Sequence, residues 1–194
     1  MLAGGFLFCA ARRLVKLGKT WYYEKRQNKA NTRINGGIFS MDHSTKAAQL
    51  FLSGSNCAQA VFVAFCDVTG LEPEFAARLS CGFGGGISRM REVCGAVSGM
   101  ILAADLLYGY SDPGQDDEAK AAHYTRIQEL CNRFRQSAGS LTCRELLDHP
   151  PTDPIPTPRT AEYYASRPCT AIVMLAARIL EEYIQANPPV NNHE

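Results

Sequence analysis

Four cysteines of this 194-residue chain stand at or near places where helices are expected to begin: Cys57, Cys94, Cys143 and Cys169. A helix start presents unpaired backbone N–H groups and the positive end of the macrodipole. A thiol placed there loses its proton more readily and becomes a better nucleophile or metal ligand. Asn56-Cys57-Ala58-Gln59 has the form of a capping box, with Asn56 accepting from the backbone and Gln59 reaching back, and Thr142-Cys143-Arg144-Glu145 repeats the pattern. In Ser166-Arg167-Pro168-Cys169 a proline just inside a helix start puts Cys169 in the opening turn. Cys94 leads into Gly95-Ala96-Val97-Ser98-Gly99, and Ser88, acting as an earlier cap, would leave this thiol on the second turn.

Glycines surround Cys94. Gly84, Gly85 and Gly86 close the loop that precedes it, and Gly95 and Gly99 follow within one helical turn of each other. A glycine costs about 1 kcal/mol relative to alanine inside a helix, so two in one turn imply close approach by another helix or by a bound group. These five glycines are the candidate cofactor-binding positions. A nucleotide cradle is disfavoured, because no strand is expected before the loop and Ile87 fills the third glycine position of Gly-x-Gly-x-x-Gly. Of the other cysteines, Cys66 is rotated to the opposite side of its helix from Cys57, Cys131 fits an apolar stripe, and Cys9 belongs to the N-terminal segment. Cys81, directly before the loop, is a rival candidate for the site.

These residues resemble the redox-active proteins named C_GCAxxG_C_C after their cysteine pattern. The resemblance covers Met41 to about Ile184 and is carried by Cys81 to Met90, by Val93-Cys94-Gly95-Ala96-Val97-Ser98-Gly99, by Gly139 to Leu146 and by the Cys169 helix. It makes Cys57, Cys94, Cys143 and Cys169 the four cysteines of the pattern, although the label spells Gly-Cys-Ala where this chain has Cys94-Gly95-Ala96. It implies an all-helical protein with redox-active cysteines and names no substrate.

Three chemistries are open. In the first, a low-pKa thiolate, with Cys94 the leading candidate, attacks a disulfide or oxidised substrate and Cys143 or Cys169 resolves the intermediate, the partner being a redox protein or a small thiol or disulfide. No cofactor is needed there. In the second, Cys57, Cys94, Cys143 and Cys169 bind zinc or an iron–sulfur cluster, although the nearest two lie 37 residues apart and no tight pair exists. In the third, the cysteines are incidental to a binding or assembly protein, and a homo-oligomer is compatible with any of the three. Arg144 and Arg167, each beside a cysteine, would favour thiolates or else stand as solvated helix-end charges.

The elements that must position these groups read as an all-α, single-domain helical bundle with a glycine-rich loop before its central helix. The spacing predicts helices from Ser44 to about Asp67, interrupted near Ser53-Gly54-Ser55, after Pro73 to Ser80, through a central stretch stopped by Gly109, from about Asp116 to Gln136, from Cys143 to Leu147 and from about Pro168 to Gln185. Pro150 to Pro158 is a connector. With 46% hydrophobic and 20% charged residues the chain supports one core.

The formal charge of +1 conceals a split. Residues 1–40 carry eight of the 20 basic residues against Glu24 alone, which leaves 12 basic and 18 acidic residues for the remainder. We read residues 1–40 as a basic tail outside the fold, disordered or supplied by an extended reading frame, 41–186 as the helical cysteine domain, and 187–194 as a frayed end. No nucleic-acid partner is expected. No apolar run reaches the roughly 18–20 residues of a membrane span, and eight cysteines in a chain of this length point to a cytoplasmic protein using thiols or metal rather than a disulfide framework.

Overall fold

The computed structural model describes residues 42–111 and 117–189. Expectations for residues 1–40 and for the chain end beyond residue 189 lie outside the described residues. Among these, nine α-helices and one short 3-10 turn form the fold, and the only β-type pairing is an isolated antiparallel bridge between Val93 and Thr142. The all-helical reading holds.

The first expected helix is three. Asp42 caps α1 (His43–Leu52) by accepting from Thr45 N at 2.8 Å. Helix α2 (Cys57–Ala64) follows the Ser53-Gly54-Ser55 break, and α3 (Cys66–Thr69) ends at Gly70, whose φ of 71° supplies the left-handed cap. Glu72 caps α4 (Pro73–Ser80), with proline in its first turn. The 3-10 turn Cys81–Phe83 continues directly from it, so the expected loop opens as a helical turn and runs irregularly from Gly84. Then come α5 (Gly95–Tyr108), α6 (Asp117–Ala138), α7 (Cys143–Leu146), the unforeseen α8 (Ala161–Ala165, capped by Thr160) and α9 (Cys169–Ala186). Asn187 is no frayed residue: its carbonyl accepts from Tyr108 OH at 2.7 Å.

Helix α2 runs through the middle of the bundle, with six of its eight residues buried, and α1, α5 and α9 pack around it. Phe51, Phe62, Phe65, Met100, Phe134 and Leu180 fill the core. The α2–α5 crossing is close because both faces are small: a Cβ on Gly99 would lie 2.5 Å from Ala58 O and 3.0 Å from Val61 Cβ. Gly99 is therefore a packing glycine, and the close approach it permits is by a helix.

Candidate functional site

Four helix starts meet at one cavity of ≈ 250 Å³, and each brings a cysteine. Cys57 is the first residue of α2, Cys143 of α7 and Cys169 of α9, while Cys94 caps α5. The Asn56 capping box forms as expected, Asn56 Oδ1 accepting from Ala58 N and Gln59 N at 3.0 Å and Gln59 Oε1 from Asn56 N at 3.0 Å. Asn56 Nδ2 also donates to Cys81 O at 2.9 Å, tying the 3-10 turn to α2. The second box does not form. Thr142 makes no side-chain cap, and Ser140 instead accepts from Thr142 N at 2.9 Å and donates to the Glu145 carboxylate. Ser88 is no cap either, which places Cys94 at the helix start rather than on its second turn.

Backbone pairing fixes the Cys94 and Cys143 segments side by side. Cys94 N donates to Leu141 O at 2.8 Å and Cys143 N to Glu92 O at 2.7 Å, flanking the Val93–Thr142 bridge. The glycines make room for these sulfurs. A Cβ on Gly86 would come within 2.6 Å of Cys143 Cβ, one on Gly95 within 3.2 Å of Cys57 Cβ, and one on Gly84 within 2.4 Å of Asn56 Cγ. Gly84, Gly85, Gly86 and Gly95 line the cavity and Gly99 does not.

The loop wall is an uncommon backbone. Gly85, Gly86, Ile87, Ser88 and Arg89 all have positive φ, from 46° to 71°, and Arg91 follows at 63°. Left-handed helical conformation costs about 1–2 kcal/mol for each non-glycine residue, so four such residues must be held by other contacts. The side chains of Arg89 and Arg91 supply them. Arg89 Nε donates to Asp153 O at 2.6 Å and its Nη2 pairs with the Asp153 carboxylate at 3.2 Å, while Arg91 Nε donates to Pro151 O at 2.9 Å. The proline-rich connector is thereby strapped to the turn, and its Pro156 and Thr157 reach the cavity.

Charge separates the four thiols. Cys94 is buried, and burial pushes its thiol up to about 12. Its helix start supplies backbone hydrogen bonds that favour the thiolate, and desolvation acts against them. Burial also raises Cys143, against a hydrogen bond and charge from Arg91. Cys57 and Cys169 act on each other: Cys169, with burial, holds Cys57 well above the usual thiol value, and Cys57 lowers Cys169. The asymmetry has a physical cause. Cys57 lowers Cys169 most, burial opposes it, and the charges of Arg167, Arg159 and Arg91 add to the lowering.

Sequence reasoning found one of these three arginines. Arg167 acts on a thiol as its position suggested, whereas Arg144 pairs with Glu92 and donates to Arg91 O. Arg91 and Arg159 were missed, and only the nearness of Arg91 to Cys94 signals either of them. Cys81 lines the cavity rim and is exposed; Cys66 and Cys131 lie elsewhere in the core, Cys66 raised to about 11 by burial. Arg91 is 2% exposed, and its Nη2 has no hydrogen-bond partner. A buried polar group so left costs about 1–3 kcal/mol, and more when charged.

Four thiols are the donor type of a zinc or iron–sulfur site. Among the described residues no group of three or more His, Cys, Asp or Glu side chains is placed to hold a metal ion, although four thiols share one cavity. No described helix is long and apolar enough to cross a membrane.

Residues 55–183, more than half of the chain, match the family model described as Putative redox-active protein (C_GCAxxG_C_C). No curated protein and no solved structure matches.

Proposed function

The chain belongs to the C_GCAxxG_C_C family of redox-active proteins, and from that premise we propose that it carries out thiol–disulfide exchange with Cys169 as nucleophile and Cys57 as resolving thiol. The observation that carries the proposal is that Cys57 and Cys169, each at a helix start, line one cavity together with Arg91, Arg159 and Arg167. In the first step the Cys169 thiolate attacks one sulfur of a disulfide R–S–S–R′, forming a Cys169–S–R bond as the S–S bond breaks and R′S⁻ leaves. R′S⁻ takes the proton of Cys57. The Cys57 thiolate then attacks Cys169 Sγ and expels RS⁻, so the substrate gains two electrons and the protein ends with a Cys57–Cys169 disulfide. An external thiol reductant restores the dithiol.

Cys94 and Cys143 enter as a second, more buried pair of thiols on the same wall. Three guanidinium groups in the cavity wall support this reading over a resident zinc ion or cluster, since they favour a thiolate that acts as a nucleophile. The test is to treat the reduced protein with one equivalent of a small disulfide and map the product by peptide mass spectrometry. A Cys57–Cys169 bond is expected. A bond joining any other pair, with Cys57 and Cys169 still free, overturns the assignment.

A further inference from the structure

The cavity carries more positive charge than one thiolate offsets. Arg89, Arg91, Arg159 and Arg167 line it, and no aspartate or glutamate does. Arg89 is neutralised by Asp153. Among the described residues the other three form no ion pair with a carboxylate: Arg91 Nε donates to Pro151 O, Arg159 Nη1 to Ser55 O at 3.0 Å, and the Arg167 guanidinium lies 4.6 Å from the Tyr163 ring centre. A single Cys169 thiolate would leave two of these positive charges without an anionic partner in the cavity wall. Nη2 of the buried Arg91 is the second sign of a missing anion. It is a charged donor without an acceptor, on a guanidinium that lines the cavity.

We propose that the substrate is a small disulfide bearing a carboxylate, with the carboxylate held by Arg91, Arg159 and Arg167 while the disulfide faces Cys169. This rests on the exchange reading above. A guanidinium presents its donors in a planar fork that matches a carboxylate in bidentate fashion, and three of them beside the attacking sulfur would orient such a molecule as well as attract it. The volume of ≈ 250 Å³ admits an aliphatic disulfide or half of a larger one. Inorganic oxyanions share the charge but offer no S–S bond to Cys169.

The experiment uses the reduced full-length protein and three probes of different charge: dithiodipropionate, hydroxyethyl disulfide and cystamine. The rate of oxidation of Cys169 by each is divided by that probe's rate with a small free thiol, which removes intrinsic reactivity. Electrostatic attraction should place the dicarboxylate at least about tenfold above the neutral probe and cystamine lowest, and Arg159→Gln should narrow that range. Suberate, the carbon analogue of dithiodipropionate that cannot be reduced, should bind the unaltered protein in calorimetry and slow exchange by the neutral probe. Equal normalised rates for all three probes, with no suberate binding, overturn the carboxylate and leave exchange standing. Suberate binding without reaction by any probe overturns the exchange reading, and the disulfide substrate with it.

Discussion

At the end of the bundle where α2 and α9 begin, four thiols and three guanidinium groups without ion-pair partners line a cavity that has no carboxylate. Toward the other end of the same two helices the charges are matched. His43 lies between Asp67 at 3.3 Å and Glu181 at 3.1 Å, stacks on Phe65 with ring centres 4.2 Å apart, and shares Asp67 with Lys46 at 3.1 Å. Cys169 and Glu181 are twelve residues apart on α9, about 18 Å along its axis. One end satisfies its polar groups internally and serves the fold. The other leaves thiols, donors and a left-handed turn held in a costly arrangement, which is the condition expected where a ligand completes the structure.

The largest contrast between the ends should appear in reactivity. Cys169→Ser should reduce exchange with a small disulfide by about a thousandfold or more, as removal of a nucleophile does. Cys94→Ser should leave most of the rate, and so should Asp67→Asn at the far end. Stopped-flow rates on the three variants decide this, and a Cys94 effect as large as that of Cys169 would reverse the roles assigned here.

Packing gives the next effect. Gly99→Ala puts a Cβ against the Ala58 carbonyl, which cannot turn aside, and should destabilise the protein by about 1–3 kcal/mol in urea unfolding. Gly82→Ala meets nothing within 4 Å and should stay within about 0.5 kcal/mol of the parent. Equal losses would mean that α2 and α5 do not cross as closely as described.

Much of this architecture was legible from short-range signals. Asn56 with Gln59 and proline before Cys169 announce helix starts because capping is local chemistry, and Ser53-Gly54-Ser55 breaks a helix for equally local reasons. The converging sulfurs followed from those starts together with the family resemblance. The site's electrostatics were hidden. Arg159 leaves the proline connector and reaches the cavity across more than 100 residues of sequence, also donating to Ser55 O. Burial raises the Cys94 thiol, and burial depends on what packs over a residue. The turn from Gly85 to Arg89 gave no warning, since Ile87, Ser88 and Arg89 have no intrinsic preference for positive φ. Glu145 was misread because Ser140, two residues before the expected cap, competes for it.

A subtler change is expected from Arg167→Gln. Removing this guanidinium raises the Cys169 thiol, so exchange should slow at neutral pH and recover in alkali, where the thiol ionises regardless. A uniform loss at every pH would instead indicate damage to the fold.

The far end supplies the smallest effects, and they act on stability. Burial opposes protonation of His43, but Asp67 and Glu181 outweigh it and raise its pKa. Its contribution is complete below the ordinary imidazole value of 6.5 and is lost as pH rises through the higher folded value. Burial likewise opposes ionisation of Asp67, but His43 and Lys46 hold it well below the usual carboxylate range. Stability from Asp67 is present above the ordinary aspartate value of 3.8 and declines as pH falls below it. His43→Gln should flatten the neutral-to-alkaline limb of a urea-midpoint profile while leaving exchange at Cys169 unaltered.

The central claim is that the arginine cluster and the neighbouring Cys57 make Cys169 the thiolate of the site. Site-resolved alkylation of the fully reduced protein across pH, read peptide by peptide, tests it most directly. Cys169 should be modified first and at the lowest pH, ahead of Cys57, Cys94 and Cys143. Earlier modification of Cys94, or a Cys169 profile no lower than that of an ordinary thiol, would contradict the account.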